Sequence, residues 1–235
     1  MGHEEVERRF AALSTPNLAD ACVRVGVEVR CGPHDLRPVV AGSRLAGRVL
    51  PAVHVGSVDI VLEAIEGADA GDVLVVDNAG RLDEACVGDL MVHEAHGAGL
   101  SGVVIWGLHR DTVDLVRIGL PVFSLGCMPT GPLHFAGRAA DALSHASVGE
   151  WSLGREDLVL GDDDGVLFLP MAKAKEVFTV AESIRETETR QAEEIVSGRS
   201  LRDQVRFDVY LARRKENPAL TFREHLRTVG GAVEV

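Results

Sequence analysis

Two stretches of the chain carry residue types that could do chemistry together: Gly88-Asp89-Leu90-Met91 and Gly107-Leu108-His109-Arg110-Asp111, with twenty residues between Asp89 and Arg110. An aspartate such as Asp111 is a hard oxygen ligand, and a lone carboxylate with several waters is a common way of holding Mg2+ or Mn2+. Arg110 presents a fixed planar cation toward the oxygen of an oxo-acid or its enolate. Asp89 opens a predicted helix, so the unpaired backbone N–H groups of Leu90 and Met91, with the helix dipole behind them, suit a substrate carboxylate. Spacing alone leaves a plainer reading open. Asp89 then only caps its helix, and Arg110 and Asp111 form a solvated pair worth under about 1 kcal/mol.

Three other patterns carry less. Gly97-Ala98-Gly99-Leu100-Ser101-Gly102 has the glycine spacing of a dinucleotide loop. It follows a helix and precedes a strand, the reverse of what that loop requires, and reads as a helix-to-strand turn. His93 and His96 stand three apart and lack the spacing and the glutamate of a zinc-protease helix, so they read as solvated or packed helix residues. Asp162-Asp163-Asp164-Gly165 lacks the distal glutamate of a calcium loop and reads as a tight turn.

The elements that must position Asp89 and Arg110 are legible around them. Asp72 to Asp77, Gly102 to Trp106 and Pro121 to Ser124 are short, almost continuous apolar runs, the pattern of strands covered on both faces. Between them the periodicity predicts helices from Gly88-Asp89 to about Gly97 and from Asp111 to Ile118. This alternation predicts a right-handed parallel βαβ core, and the loops after the carboxyl ends of its strands should form the ligand crevice. Upstream, Ser14-Thr15-Pro16 predicts a helix start and Gly26 its stop. Val27 to Val29, Leu45 to Leu50 and Ala52 to Val55 read as strands, and residues 57–66 as an amphipathic helix. From 147 to 169 the pattern is β again. After Pro170 the chain turns helical and charged over 171–197 and 201–215. Thr221 and Glu224 make a capping box for a last short helix. Residues 1–170 are thus expected to form an α/β domain, and 171–235 a helical extension packed on the body or on a neighbouring subunit.

Composition narrows the classes of function. The 235 residues hold 36 acidic and 24 basic side chains, a net charge of -12, which disfavours nucleic-acid partners. A site for an anionic substrate must therefore concentrate positive charge locally. Cys22, Cys31, Cys86 and Cys127 show neither metal nor redox spacing, no membrane span is present, and the acidic N-terminus lacks a signal core. A cytoplasmic location is expected.

Asp89, its twenty-residue spacing to Arg110-Asp111, the run Gly71 to Asp77, Pro121-Val122-Phe123, and Gly161 to Val166 occur in an order that resembles the class II 4-hydroxy-4-methyl-2-oxoglutarate / 4-carboxy-4-hydroxy-2-oxoadipate aldolases and their RraA-like relatives. The resemblance covers roughly residues 13–170. It implies a layered β/β/α swivelling fold, a homotrimer or hexamer with sites near subunit boundaries, and Mg2+- or Mn2+-dependent release of pyruvate from a 4-hydroxy-2-oxo acid or from oxaloacetate. On that resemblance Asp111 binds the metal, Arg110 contacts the pyruvyl oxygen and stabilises the enolate, and Asp89 orients metal-bound water. Gly88, Leu90 and Met91 bind substrate. A glutamate from an adjacent subunit can complete such sites, with Glu193 and Glu194 in a suitable helical region. The family also contains regulators that bind a ribonuclease and lack an acidic residue after this arginine, so Asp111 favours catalysis over that alternative.

Overall fold

The computed structural model describes residues 1–229; residues 230–235 of the expected extension lie outside that range. In chain order the elements are α1 (His3–Phe10), α2 (Thr15–Val25), β1 (Arg30–Cys31), β2 (Arg37–Pro38), β3 (Leu45–Val53), α3 (Asp59–Glu66), β4 (Val73–Asp77) and β5 (Ala85–Val87). Then come α4 (Asp89–Gly97), β6 (Gly102–Trp106), β7 (Leu108–His109), α5 (Thr112–Ile118), β8 (Val122–Ser124), β9 (His145–Val148) and β10 (Trp151–Gly154). The chain closes with β11 (Asp157–Asp162), β12 (Gly165–Pro170), α6 (Met171–Val196), α7 (Leu201–Gln204), α8 (Phe207–Glu216) and α9 (Phe222–Val229).

The main sheet runs β1-β12-β11-β3-β4-β6-β8-β2. Its centre, β3-β4-β6-β8, is parallel, and β11, β12, β1 and β2 join antiparallel at the flanks. Alternate side chains of the central strands explain their unbroken apolar character. Val73, Val75 and Val104 face a layer holding Ala146, Val148 and Leu153 of the β9–β10 hairpin. Leu74, Val76, Val103 and Ile105 face Ile60, Val61, Val92, Ala95 and Leu115 on helices α3, α4 and α5. Hairpin, sheet and helices are the β/β/α layers expected of the fold. Each fully buried Val, Leu or Ile stabilises by about 1.5–3 kcal/mol. A separate apolar cluster joins α1, α2 and the first half of α6 (Ala174, Val177, Phe178, Ala181, Ile184) to Leu158, Leu160 and Leu167 of β11 and β12.

Several expectations change for local reasons. Val27 to Val29 form no strand. Gly26 ends α2 in the left-handed region at φ 69°, the Val27 N–H folds back onto Cys22 O at 2.9 Å, and Val27 and Val29 pack beside α2. Strand β3 runs unbroken through Pro51 because its pairing with β11 stops at Arg48, so no ladder bond from Pro51 is needed on that side. The expected helix over 201–215 divides at Arg206, which takes φ 51°. Helix α1 is hard to read in the sequence because Val6 and Phe10 are the buried residues in an otherwise charged segment. The Ser14 cap, the Thr221–Glu224 box and the Asp162–Gly165 turn form as expected. Helix α4 leads from Gly97 into β6 at Gly102, the helix-to-strand turn expected of that glycine run, and His93 and His96 are solvent-exposed on it.

Candidate active site

A two-stranded parallel ladder brings the two chemistry-bearing loops together. Strand β5 pairs with β7, and the Arg110 N–H donates to Val87 O at 3.0 Å. Gly88-Asp89 leaves β5 just where Arg110-Asp111 leaves β7, so residues twenty apart in sequence become neighbours. Asp111 Oδ2 lies 3.3 Å from Arg110 Nε and 3.4 Å from the Asp89 N–H. The Leu90 N–H donates to Asp89 Oδ1 at 2.8 Å. The Met91 N–H makes no hydrogen bond among the described residues. The first turn of α4 thus already gathers two carboxylates of its own chain, as a helix N-terminus should. Around it lies a cavity of about 150 Å³ lined by Val58, Ala85, Cys86, Gly88, Asp89, Leu90, Met91, Arg110 and Pro132.

Two backbone features tune this corner. Gly88 leaves room for both side chains: a Cβ there would stand 2.5 Å from Asp111 Oδ2 and 3.0 Å from Arg110 Nε, so they would have to shift. Asp111 itself takes φ 59°, a left-handed conformation that aspartate tolerates better than most residues. His109 braces the turn from beneath. It is 4% exposed, with Nδ1 2.7 Å from Ser124 Oγ and Nε2 3.0 Å from Thr112 Oγ1. Burial lowers its pKa, so it sits there as a neutral ring tying β8 to the start of α5.

Sequence reasoning missed the wall opposite Arg110. Glu84, 1% exposed, accepts at Oε2 from the backbone N–H groups of Leu133 (2.5 Å) and His134 (3.1 Å). Its Oε1 lies 3.1 Å from Arg81 Nη1. Burial pushes the Glu84 carboxyl up, and those N–H donors, the His134 ring and Arg81 together more than offset it, so its pKa ends below the ordinary value. The segment it holds brings Gly131 against the guanidinium, where a Cβ would be 2.9 Å from Arg110 Nη1, and brings Pro132 into the cavity. Glu84 is one of 36 acidic residues, and nothing in the sequence marked it.

The donor set suits one class of metal. No group of three His, Cys, Asp or Glu side chains placed to hold an ion occurs among the described residues, which argues against a protein-enclosed zinc-type site. Asp111 is a partly exposed carboxylate whose Oδ1 makes no hydrogen bond among the described residues, and Asp89 stands beside it. One or two carboxylates open to water match Mg2+ or Mn2+, which keep much of their hydration. Glu193 and Glu194 lie at the far end of α6 and do not line this cavity; Glu194 pairs with Arg199 at 2.7 Å.

Comparisons with known proteins agree with the architecture. The RraA-like family model (Aldolase/RraA) matches residues 15–168. The chain is 27% identical over 201 residues to protein DlpA of Legionella pneumophila, covering 83% of this chain and 32% of that one. It therefore spans about a third of that relative's length. It is 32% identical over 132 residues to a 4-hydroxy-4-methyl-2-oxoglutarate aldolase of Thermus thermophilus, covering 54% of this chain and 77% of the other. A solved structure from Streptomyces coelicolor, described as an unusual member of the RNase ES inhibitor RraA protein family, superposes with a TM-score of 0.68 at 25% identity, covering 83% of this chain and 96% of that one. With the family model spanning about two thirds of the chain, including nearly all of the sheet and both site loops, the chain belongs to the RraA-like (Aldolase/RraA) family.

Proposed function

We propose that this chain is a lyase that cleaves a carbon–carbon bond in a small oxo-acid, either a 4-hydroxy-2-oxo acid of the 4-hydroxy-4-methyl-2-oxoglutarate type or oxaloacetate, and releases pyruvate. The observation that carries this reading is the meeting of a guanidinium, two carboxylates and a helix N-terminus at one corner, where Arg110, Asp89 and the first turn of α4 line a small cavity and Asp111 stands beside them. The substrate carboxylate takes the Met91 N–H and displaces Asp89 Oδ1 from the Leu90 N–H, which places its oxo oxygen toward Arg110. Aldol cleavage and β-decarboxylation both send the electrons of the broken bond into that oxygen, giving the same pyruvate enolate. Arg110 holds the charge where it develops, and removal of such a donor typically costs ~100–1000-fold in rate. Mg2+ or Mn2+ held by Asp111 would supply Lewis-acid polarisation of the same oxygen. Asp89 orients a neighbouring water for the proton exchanges that start and finish the cycle. The Thermus thermophilus relative supports the aldolase reading.

Pyruvate release from oxaloacetate and from 4-hydroxy-4-methyl-2-oxoglutarate, with and without Mg2+, tests the proposal. Activity should appear with metal and vanish in Asp111→Ala. Equal turnover in Asp111→Ala or after chelation would overturn it. The likeness to an RNase ES inhibitor family member favours a second reading, a regulator that binds a ribonuclease. That reading expects no lyase activity and a stable complex with the ribonuclease in a pull-down. Location in the cytoplasm and assembly as a trimer or hexamer belong to the same proposal. Among the described residues no helix is long and apolar enough to cross a membrane.

A further inference from the structure

Past the groups that take up a carboxylate and an oxo oxygen, the walls of the cavity are apolar. The first turn of α4 and Arg110 serve those two groups, and Asp89 brings a negative charge. What remains of the lining is Val58, Ala85, Cys86, Pro132 and the side chains of Leu90 and Met91. Two of these stand open to solvent, with Leu90 69% and Val58 44% exposed. Exposed apolar surface beside a polar site is stabilised by an apolar ligand group that covers it. Among the described residues that line the cavity, Arg110 is the one cation. The guanidiniums of the flanking segments are already held, Arg81 by Asp83 and Glu84 and Arg138 by Glu63. Next to Val58, exposed Asp59 adds further negative charge.

We infer, on the lyase reading above, that the preferred substrate is a 4-hydroxy-2-oxo acid with a single carboxylate and an uncharged alkyl group on C4. In its cleavage the C3–C4 bond breaks, the C4 hydroxyl gives its proton to water, and C4 leaves as an aldehyde. The electron pair of that bond passes to the oxo oxygen, and C3 then takes a proton to complete pyruvate. The C1 carboxylate occupies the α4 N-terminus and the oxo oxygen faces Arg110, so both positive features serve the pyruvyl half. A second carboxylate on C4 would meet Val58 and Pro132 without a cation on that wall, and an unpaired charge against apolar surface is strongly disfavoured. An alkyl group covers the same wall, and one methylene in an apolar pocket is worth ~10–200-fold in kcat/KM. The wall thus attracts one class of substrate and repels the other.

The full-length protein with Mg2+ is given three synthetic acids that differ only at C4: 4-hydroxy-2-oxopentanoate (methyl), 4-hydroxy-2-oxohexanoate (ethyl) and 4-hydroxy-2-oxoglutarate (carboxylate). Deuterium exchange into the methyl group of pyruvate in D2O, followed by proton NMR, reports the enolate half of the reaction with no C4 group present. The value of kcat/KM should be at least about tenfold higher for the methyl than for the carboxylate substrate, and higher again for the ethyl. That preference should persist in about 1 M KCl, where the Debye length is ~3 Å, because contact with the wall sets it and the net charge of -12 does not. Val58→Lys places a cation on the wall and should move the methyl-to-carboxylate ratio at least about tenfold toward the carboxylate. Pyruvate exchange with equal or better use of 4-hydroxy-2-oxoglutarate would overturn the inference and leave the enolate chemistry standing. So would exchange with cleavage of none of the three, a preference that disappears in salt, or an unmoved ratio in folded Val58→Lys. Loss of both exchange and cleavage would instead sink the lyase reading, and the inference with it.

Discussion

Arg110 and Asp111 are partly exposed, with side chains 46% and 36% accessible, so their cost to folding is small and their value must be read in chemistry. Arg110→Lys keeps the charge and loses the planar fork. A fall in kcat/KM of ~100–1000-fold is expected, with the melting temperature unchanged; activity within about twofold of the parent would remove Arg110 from the mechanism. Glu84 behaves in the opposite way, because it is buried and its carboxylate is fully bonded. Glu84→Gln should destabilise by about 1–3 kcal/mol at pH 7. It should also loosen the segment carrying Gly131 and Pro132, read as faster amide exchange at Leu133 and His134. The folded carboxyl sits below its ordinary value, so its contribution is complete above the unfolded pKa of about 4.3–4.5 and is lost as pH falls through the folded one. The wild type should therefore lose more stability than Glu84→Gln on going from pH 5 to pH 3. Equal losses in urea titrations would contradict the sign of this argument.

What brings those residues together is the pairing of β5 with β7, and sequence reading stopped short of it. Asp89 and Arg110-Asp111 were legible because carboxylate and guanidinium announce themselves, and because buried parallel strands write unmistakable apolar runs. The ladder joining them was not legible, since Ala85-Cys86-Val87 and Leu108-His109 are too short to show a period. Nor were Val58, Ala85, Cys86 and Pro132, which line the cavity with side chains that carry no chemistry. Val27 to Val29 misled for a related reason: three residues of β-type composition can equally be the cap of a preceding helix. The ladder itself can be probed at Gly88. Its φ of −128° suits any residue, so Gly88→Ala introduces no backbone strain, while its new Cβ would push on Asp111 and Arg110. A shift of that size in a preorganised site can cost ~100-fold. Loss of pyruvate release with an unaltered melting curve is the expected result, and full activity would mean that the two loops need not touch.

The whole molecule carries two buried histidines at this end of the parallel sheet, His54 after β3 and His109 in β7. Burial lowers the pKa of both. His54 Nδ1 lies 3.0 Å from Asn78 Oδ1, and His109 is shared between Ser124 and Thr112; at both rings burial outweighs the carboxylates that favour a proton, Glu84 and Asp59 near His54 and Asp111 near His109. In the unfolded chain each imidazole titrates near 6.5. Between that value and the lower folded one the unfolded state binds more protons, so stability falls as pH drops below about 6.5 and levels off once the folded rings protonate. Urea midpoints measured at constant protein concentration should accordingly decline from pH 7.5 to pH 5, and His109→Gln should flatten part of that slope. The window lies above the carboxylate range, which separates it from the loss attributed to Glu84. A midpoint that holds steady across it would show that neither ring is kept neutral by the fold, and the brace beneath Arg110 and Asp111 would need another explanation.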